Sequence, residues 1–188
     1  MAPNRNFLLT LTLSSLLAGA FLSVGSVMKP PETKNKMEIS SSGFKNSQPI
    51  PARYTCNDRN ASPPLAWSSP PPGTQSLALI VDDPDAPTGI WNHWVLFNLP
   101  ADTAGLPEDA SKSKSLPANA REGVNDFKRI GYDGPCPPDV KPHRYYFKIY
   151  ALDVPLDLPA GASRQTVEAA MTKHILAQGQ LMGTYQRP

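Results

Sequence analysis

Between two apolar runs, "SLALIV" at 76–81 and "VLFNL" at 95–99, the chain places "DDPDAPTGIWNHW", Asp82 to Trp94. Three carboxylates, two prolines and a histidine fall within thirteen residues. Asp83 and Asp85 flank Pro84, and in an extended Asp-Pro-Asp the side chains at i and i+2 point the same way. His93 follows eight residues after Asp85, and His143 and Tyr145 open a later run, "HRYYFKIYAL". Carboxylates and imidazoles gathered in one place can wall a pocket and set each other's protonation. They also suit zinc or iron. Cys136, His143 and Asp85 together spell a Cys–His–Asp hydrolase set, a scheme that needs Cys136 as a free thiol. The plainer alternative is a turn stabilised by Asx hydrogen bonds and stiffened by proline.

Short strand-like runs must position these groups: 37–40, 65–67, 76–81, 93–99 and 144–152. Alternation puts His93 on a face with Val95, Phe97 and Leu99, and His143 on a face with Tyr145, Phe147, Ile149 and Ala151. Each histidine then opens a strand, and two such strands in one sheet bring both imidazoles to one rim. Twenty-two prolines exclude a helical bundle, because each removes an amide donor. The fold class expected is mainly β, antiparallel sheets in a sandwich with few short helices. One helix is expected near the C-terminus, capped by Ser163, with Val167, Ala170, Met171, His174 and Ile175 on its apolar stripe. Gly179 and Gly183 are expected to loosen the chain after it. His174 reads as a hydrogen-bonded core residue and Trp67 as core, while Trp91 and Trp94 border the pocket or pack behind it. Arg144, Tyr146 and Lys148 fall on the face opposite His143, a solvated sheet surface. Residues 101–142 carry little periodic signal but end in stiff "GPCPP", which suggests an ordered, functional loop.

The first 26 residues have the layout of an export signal: Arg5, an apolar stretch from Phe7 to about Val27, and small residues at Ala18, Ala20, Gly25 and Ser26. Residues 27–36 read as a polar leader and 37–188 as one domain. The expected location is periplasmic or secreted, with an uncleaved membrane anchor as the alternative. No cysteine follows the apolar stretch to carry a lipid. The formal charge of +2 falls to +1 without Arg5. That balance, with no basic stripe, argues against nucleic acid as a partner. "KSKS" at 112–115 reads as a solvated loop. Cys56 and Cys136, the two cysteines, form a possible disulfide in an oxidising compartment.

"DPDAP", "HW", "GYDGPCPP" and "HRYYFKIYALD", with "IPARYTCNDRNASPPLAW" and "HILAQGQLMGTYQR", resemble the phosphatidylethanolamine-binding protein family, and most closely its bacterial Raf-kinase-inhibitor-like branch. The resemblance runs from about Ile39 to Arg187. It implies a small pocket for phosphate-like anions or phospholipid head groups, with no catalytic residue, no cofactor and no metal. By position it assigns Asp83, Asp85, His93, Pro137, Pro138, His143 and Tyr145 to ligand binding, with Tyr185 flanking the opening. A protein partner whose activity is modulated is a further expectation from relatives. Because carboxylates repel anions, an aspartate would orient an imidazole and favour its cation, which with backbone N–H groups would hold the phosphate. Affinity should then weaken as pH rises through the histidine pKa.

Overall fold

The computed structural model describes residues 36–111 and 115–188. The expected export signal and nearly all of the leader lie outside the described residues, as do 112–114 of the "KSKS" loop. Two sheets form the fold. The smaller contains β1 (Ile39–Ser40), β3 (Leu65–Trp67) and β6 (Gly105–Leu106) in the order β1-β3-β6. The larger contains β2 (Gln48–Pro49), β4 (Ser76–Asp83), β5 (Trp91–Pro100), β7 (Arg121–Glu122), β8 (His143–Leu152) and β9 (Ile175–Tyr185). Its order is β2-β9-β8-β4-β5-β7, antiparallel except for the short β2–β9 contact.

β4 lies at the centre and is buried along its whole length, which accounts for a continuous apolar run rather than an alternating one. Leu77, Leu79 and Val81 join the core that includes Trp67, Trp94, Tyr145 and Phe147. Ala78 and Ile80 pack on the other side with Val95, Phe97, Val167 and Met171. On β8 the expected alternation is met: Tyr145, Phe147, Ile149 and Ala151 all enter the first core.

Helix α1 spans Arg164–Met171, and Ser163 caps it by accepting from the Thr166 amide. It is shorter than its stripe suggested. His174 and Ile175 are not helical; His174 is a partly exposed partner of Asp153, Nδ1 to Oδ1 2.8 Å, rather than a core residue. The segment expected to loosen after the helix is instead the eleven-residue β9. Its period is two, with Ala177, Leu181, Gly183 and Tyr185 buried. The two glycines admit close neighbours rather than flexibility. A Cβ on Gly179 would stand 2.2 Å from the Met37 carbonyl oxygen, and one on Gly183 2.5 Å from Ile50. No helix among the described residues is long and apolar enough to cross a membrane.

Candidate binding pocket

The pocket begins with a fault in the β4–β5 ladder. Val81 pairs with Trp94, but the next residue, Asp82, pairs with Asn92, leaving His93 as an extra residue. A bulge breaks alternation and re-aims side chains. Here it takes His93 off the face of Val95 and Phe97 and turns it toward Tyr145, ring centroids 5.2 Å apart. The expected face-sharing on β5 is therefore wrong, and β5 starts two residues before His93. Alternation along β4 separates the neighbouring carboxylates. Asp82 accepts from Asn92 and from Lys148 on one side of the sheet, while Asp83 lines the cavity beside His93.

The His93 imidazole is buried among Phe127, Tyr145 and the cavity wall. Its Nδ1 stands 2.7 Å from the Asp133 carbonyl oxygen. A carbonyl can only accept, so Nδ1 carries the proton and Nε2 is left as an acceptor. Burial lowers the His93 pKa, against the opposing pull of the Asp133 carbonyl and the Asp83 carboxylate. Burial thus favours the neutral ring at His93. Asp133 is itself anchored. Burial works against its ionisation, but hydrogen bonds from Arg129, Asn125 and Asn60 outweigh this and lower its pKa.

His143 does open its strand, and its Nδ1 donates to Asp83 Oδ2 at 2.7 Å with both side chains buried. The expected aspartate-to-imidazole contact is present, and the imidazole that Asp83 orients is His143. The other Asp83 oxygen accepts from the Asp85 amide at 2.8 Å, an Asx turn. Asp85 does not share the cavity. Its carboxylate takes the Arg144 amide and guanidinium, at 2.6–2.9 Å, and those bonds lower its pKa. Asp83 and Asp85 diverge because the chain turns at Pro84 instead of continuing extended. Arg144 and Lys148, read as a bare solvated face, are the partners of Asp85 and Asp82.

Tyr145 lies beneath His93, fully buried. Its hydroxyl faces the Asp83 carboxylate, and burial, then the charge and hydrogen bonding of that carboxylate, raise its pKa. Tyr145 itself, expected at the ligand, is outside the cavity lining. The Trp91 indole N–H, on a cavity-lining residue, is buried and has no hydrogen-bond partner among the described residues. Pro137 and Pro138 line the cavity as expected. Tyr185 pairs with His143 across β8–β9 and donates to Asn57, outside the lining.

These elements enclose about 370 Å³, with Ala86, Pro87, Thr88, Phe127 and Cys136 completing mostly apolar walls. Cys136 is bonded to Cys56, so the hydrolase set does not assemble: its sulfur is not a thiol and Asp85 belongs to Arg144. Among the described residues no three His, Cys, Asp or Glu side chains converge to hold a metal ion. Phe127 and the Asp133–Asn125–Asn60 network escaped the sequence reading, because they lie in irregular chain where no period marks orientation. The 101–142 segment is ordered where described and contributes Phe127, Cys136, Pro137 and Pro138 to the walls.

A bulged strand, a buried carboxylate–imidazole pair and a proline-edged cavity come together on a β sandwich. The family model for phosphatidylethanolamine-binding protein matches residues 40–186, and the chain belongs to that family. It is 48% identical to a UPF0098 protein of Methanothermobacter thermautotrophicus over 151 residues, 80% of this chain and 99% of the relative. A UPF0098 protein of Aquifex aeolicus is also 48% identical, over 80% of this chain and 89% of its own length. Among solved structures, a phosphatidylethanolamine-binding protein homolog from Chlamydia trachomatis superposes with a TM-score of 0.74 at 41% identity, covering 82% of this chain and 99% of its own. YbcL of E. coli, described as a member of the mammalian PEBP family, gives 0.77 at 33% identity, covering 81% and 99%.

Proposed function

We propose that this is an exported binding protein whose pocket takes a small phosphate ester or phospholipid head group. It acts without catalysis, as a carrier of that ligand or a modulator of a protein partner. The observation that carries the reading is the balance of polar groups in a mostly apolar cavity. His93 Nε2 and Asp83 are acceptors, while the Trp91 indole N–H is a buried donor without a hydrogen-bond partner among the described residues. An unsatisfied buried donor costs about 1–3 kcal/mol, which a ligand oxygen recovers. A phosphate monoanion, or a phosphate with a neighbouring ammonium, both donates and accepts and so matches this set. Fully deprotonated phosphate only accepts, and leaves His93 and Asp83 facing an anion.

Calorimetric titration with O-phosphoethanolamine, ethanolamine and inorganic phosphate tests the reading. Binding should require the phosphate and weaken as pH rises through its second ionisation near ~6. His93→Leu, which keeps the volume and removes the acceptor, should weaken it at least tenfold. Undiminished binding by His93→Leu, or no binding of any of the three by the wild-type chain, would overturn it. The export component rests on the N-terminal sequence pattern and is tested by N-terminal sequencing of the protein recovered from the cell envelope. A new terminus within 20–30 supports it, and an intact Met1 in the cytoplasm refutes it.

A further inference from the structure

The Cys56–Cys136 bond is part of the pocket wall rather than a remote staple. Cys136 lines the cavity beside Pro137. Its partner lies 80 residues earlier, in the segment that follows the short 3-10 helix Ala52–Tyr54. The Cys56 amide donates to the Pro135 carbonyl, and the Gly134 amide donates to the Asn60 side-chain Oδ1, so two hydrogen bonds flank the bridge. Pro135, Pro137 and Pro138 have no amide proton to add further anchorage. Both cysteines are partly exposed. A cation sits on the sulfurs: Arg187 Nη2 is 3.2 Å from Cys136 Sγ and 3.5 Å from Cys56 Sγ. The Arg187 Nε is buried with no partner, so no carboxylate among the described residues holds that atom.

We propose that this disulfide is a thiol-exchange site that gates the pocket, with Arg187 as its positioning residue. A nearby cation stabilises a thiolate, and a better thiolate leaves faster in exchange. The thiolate of a dithiol reductant attacks Cys56 Sγ, forming a mixed disulfide. The Cys56–Cys136 bond breaks, and Cys136 departs as the thiolate nearest Arg187. The reductant's second thiolate attacks its own sulfur in the mixed disulfide and releases Cys56. The reductant ends as a disulfide, two electrons and two protons having passed to the protein. The 134–138 wall then loses its covalent tie, and the cavity loses its fixed edge. None of this depends on which ligand the pocket takes.

The oxidised full-length chain treated with dithiothreitol tests the proposal, with thiols counted by alkylation and mass spectrometry. Wild type should yield two thiols, Arg187→Gln should react about tenfold more slowly, and Arg187→Lys should retain the wild-type rate. Amide exchange should quicken at 54–61 and 131–143 while β4 and β8 stay protected, and the Cys56→Ser/Cys136→Ser chain should match that pattern. O-phosphoethanolamine should bind at least tenfold more weakly after reduction. Equal reduction rates for wild type and Arg187→Gln, or unchanged exchange at 131–143, would overturn the proposal. Should oxidised protein bind no O-phosphoethanolamine, the head-group reading fails, while the exchange pattern and rates still decide this one.

Discussion

His93 is walled off from water by Phe127, Tyr145 and the Asp133 carbonyl, and this determines the sign of its response to pH. Its folded pKa lies below the unfolded value of about 6.5, so the unfolded chain binds the proton first as pH falls. Stability should decline below pH ~6.5, with this residue contributing at most about 1.4 kcal/mol per pH unit. The decline should continue until the folded imidazole also protonates. Urea unfolding at several pH values, wild type against His93→Gln, isolates that contribution, and the variant should show the flatter dependence between pH 6.5 and 5. Asp133 acts one step further out. Removing its carboxylate breaks the hydrogen bonds from Asn125, Asn60 and Arg129, while Asn125 keeps the Gly131 carbonyl, so Asp133→Ala should cost about 1–3 kcal/mol in urea unfolding. Such a variant should also bind the pocket ligand more weakly, because the backbone that holds His93 is set by the same network.

Strands differ in how much of their geometry sequence displays. On β8 an uninterrupted alternation from His143 to Ala151 was legible, and the core follows it residue by residue. β5 hid the bulge at His93 because an extra residue shifts the register without changing the residue types. Only the pairing of Val81 with Trp94 and Asp82 with Asn92 reveals it. β9 was masked by glycines that imitate a helix end, and they are required instead by the close approach of Met37 and Ile50. Gly179→Ala should therefore destabilise by about 1–3 kcal/mol through overpacking against backbone, despite the general gain from replacing glycine. Thermal unfolding checks this, and an unchanged or raised midpoint would refute the packing account. Site residues divide in the same way. Asp83, His93, Pro137 and Pro138 adjoin readable strands or rigid prolines, and all four line the cavity. Asp85, His143, Tyr145 and Tyr185 lie outside the lining, where a turn or the packing behind the wall decides where they point.

At the scale of the molecule, one long strand pair, one irregular segment and one disulfide meet at the cavity. The bridge closes a loop with a sequence separation of 80, and by chain entropy such a crosslink contributes about 4 kcal/mol. Reduced protein should accordingly unfold at a lower temperature than oxidised protein, a difference that differential scanning calorimetry measures directly. The pocket is built where β4 ends and β5 is bulged, so the centre of the sheet supplies rigidity while the loops supply shape. The central claim is that a neutral His93 and Asp83 accept hydrogen bonds from a phosphate-bearing ligand in this cavity. Nitrogen-15 imidazole NMR at pH ~6, where much of the phosphate keeps its proton, tests it most directly during titration with O-phosphoethanolamine. The account requires a saturable shift at His93 Nε2 and at the Trp91 indole, with the His93 Nδ1 proton still in place and the ring uncharged. Shifts confined to other surfaces, or a His93 ring that becomes protonated as the ligand binds, would contradict it.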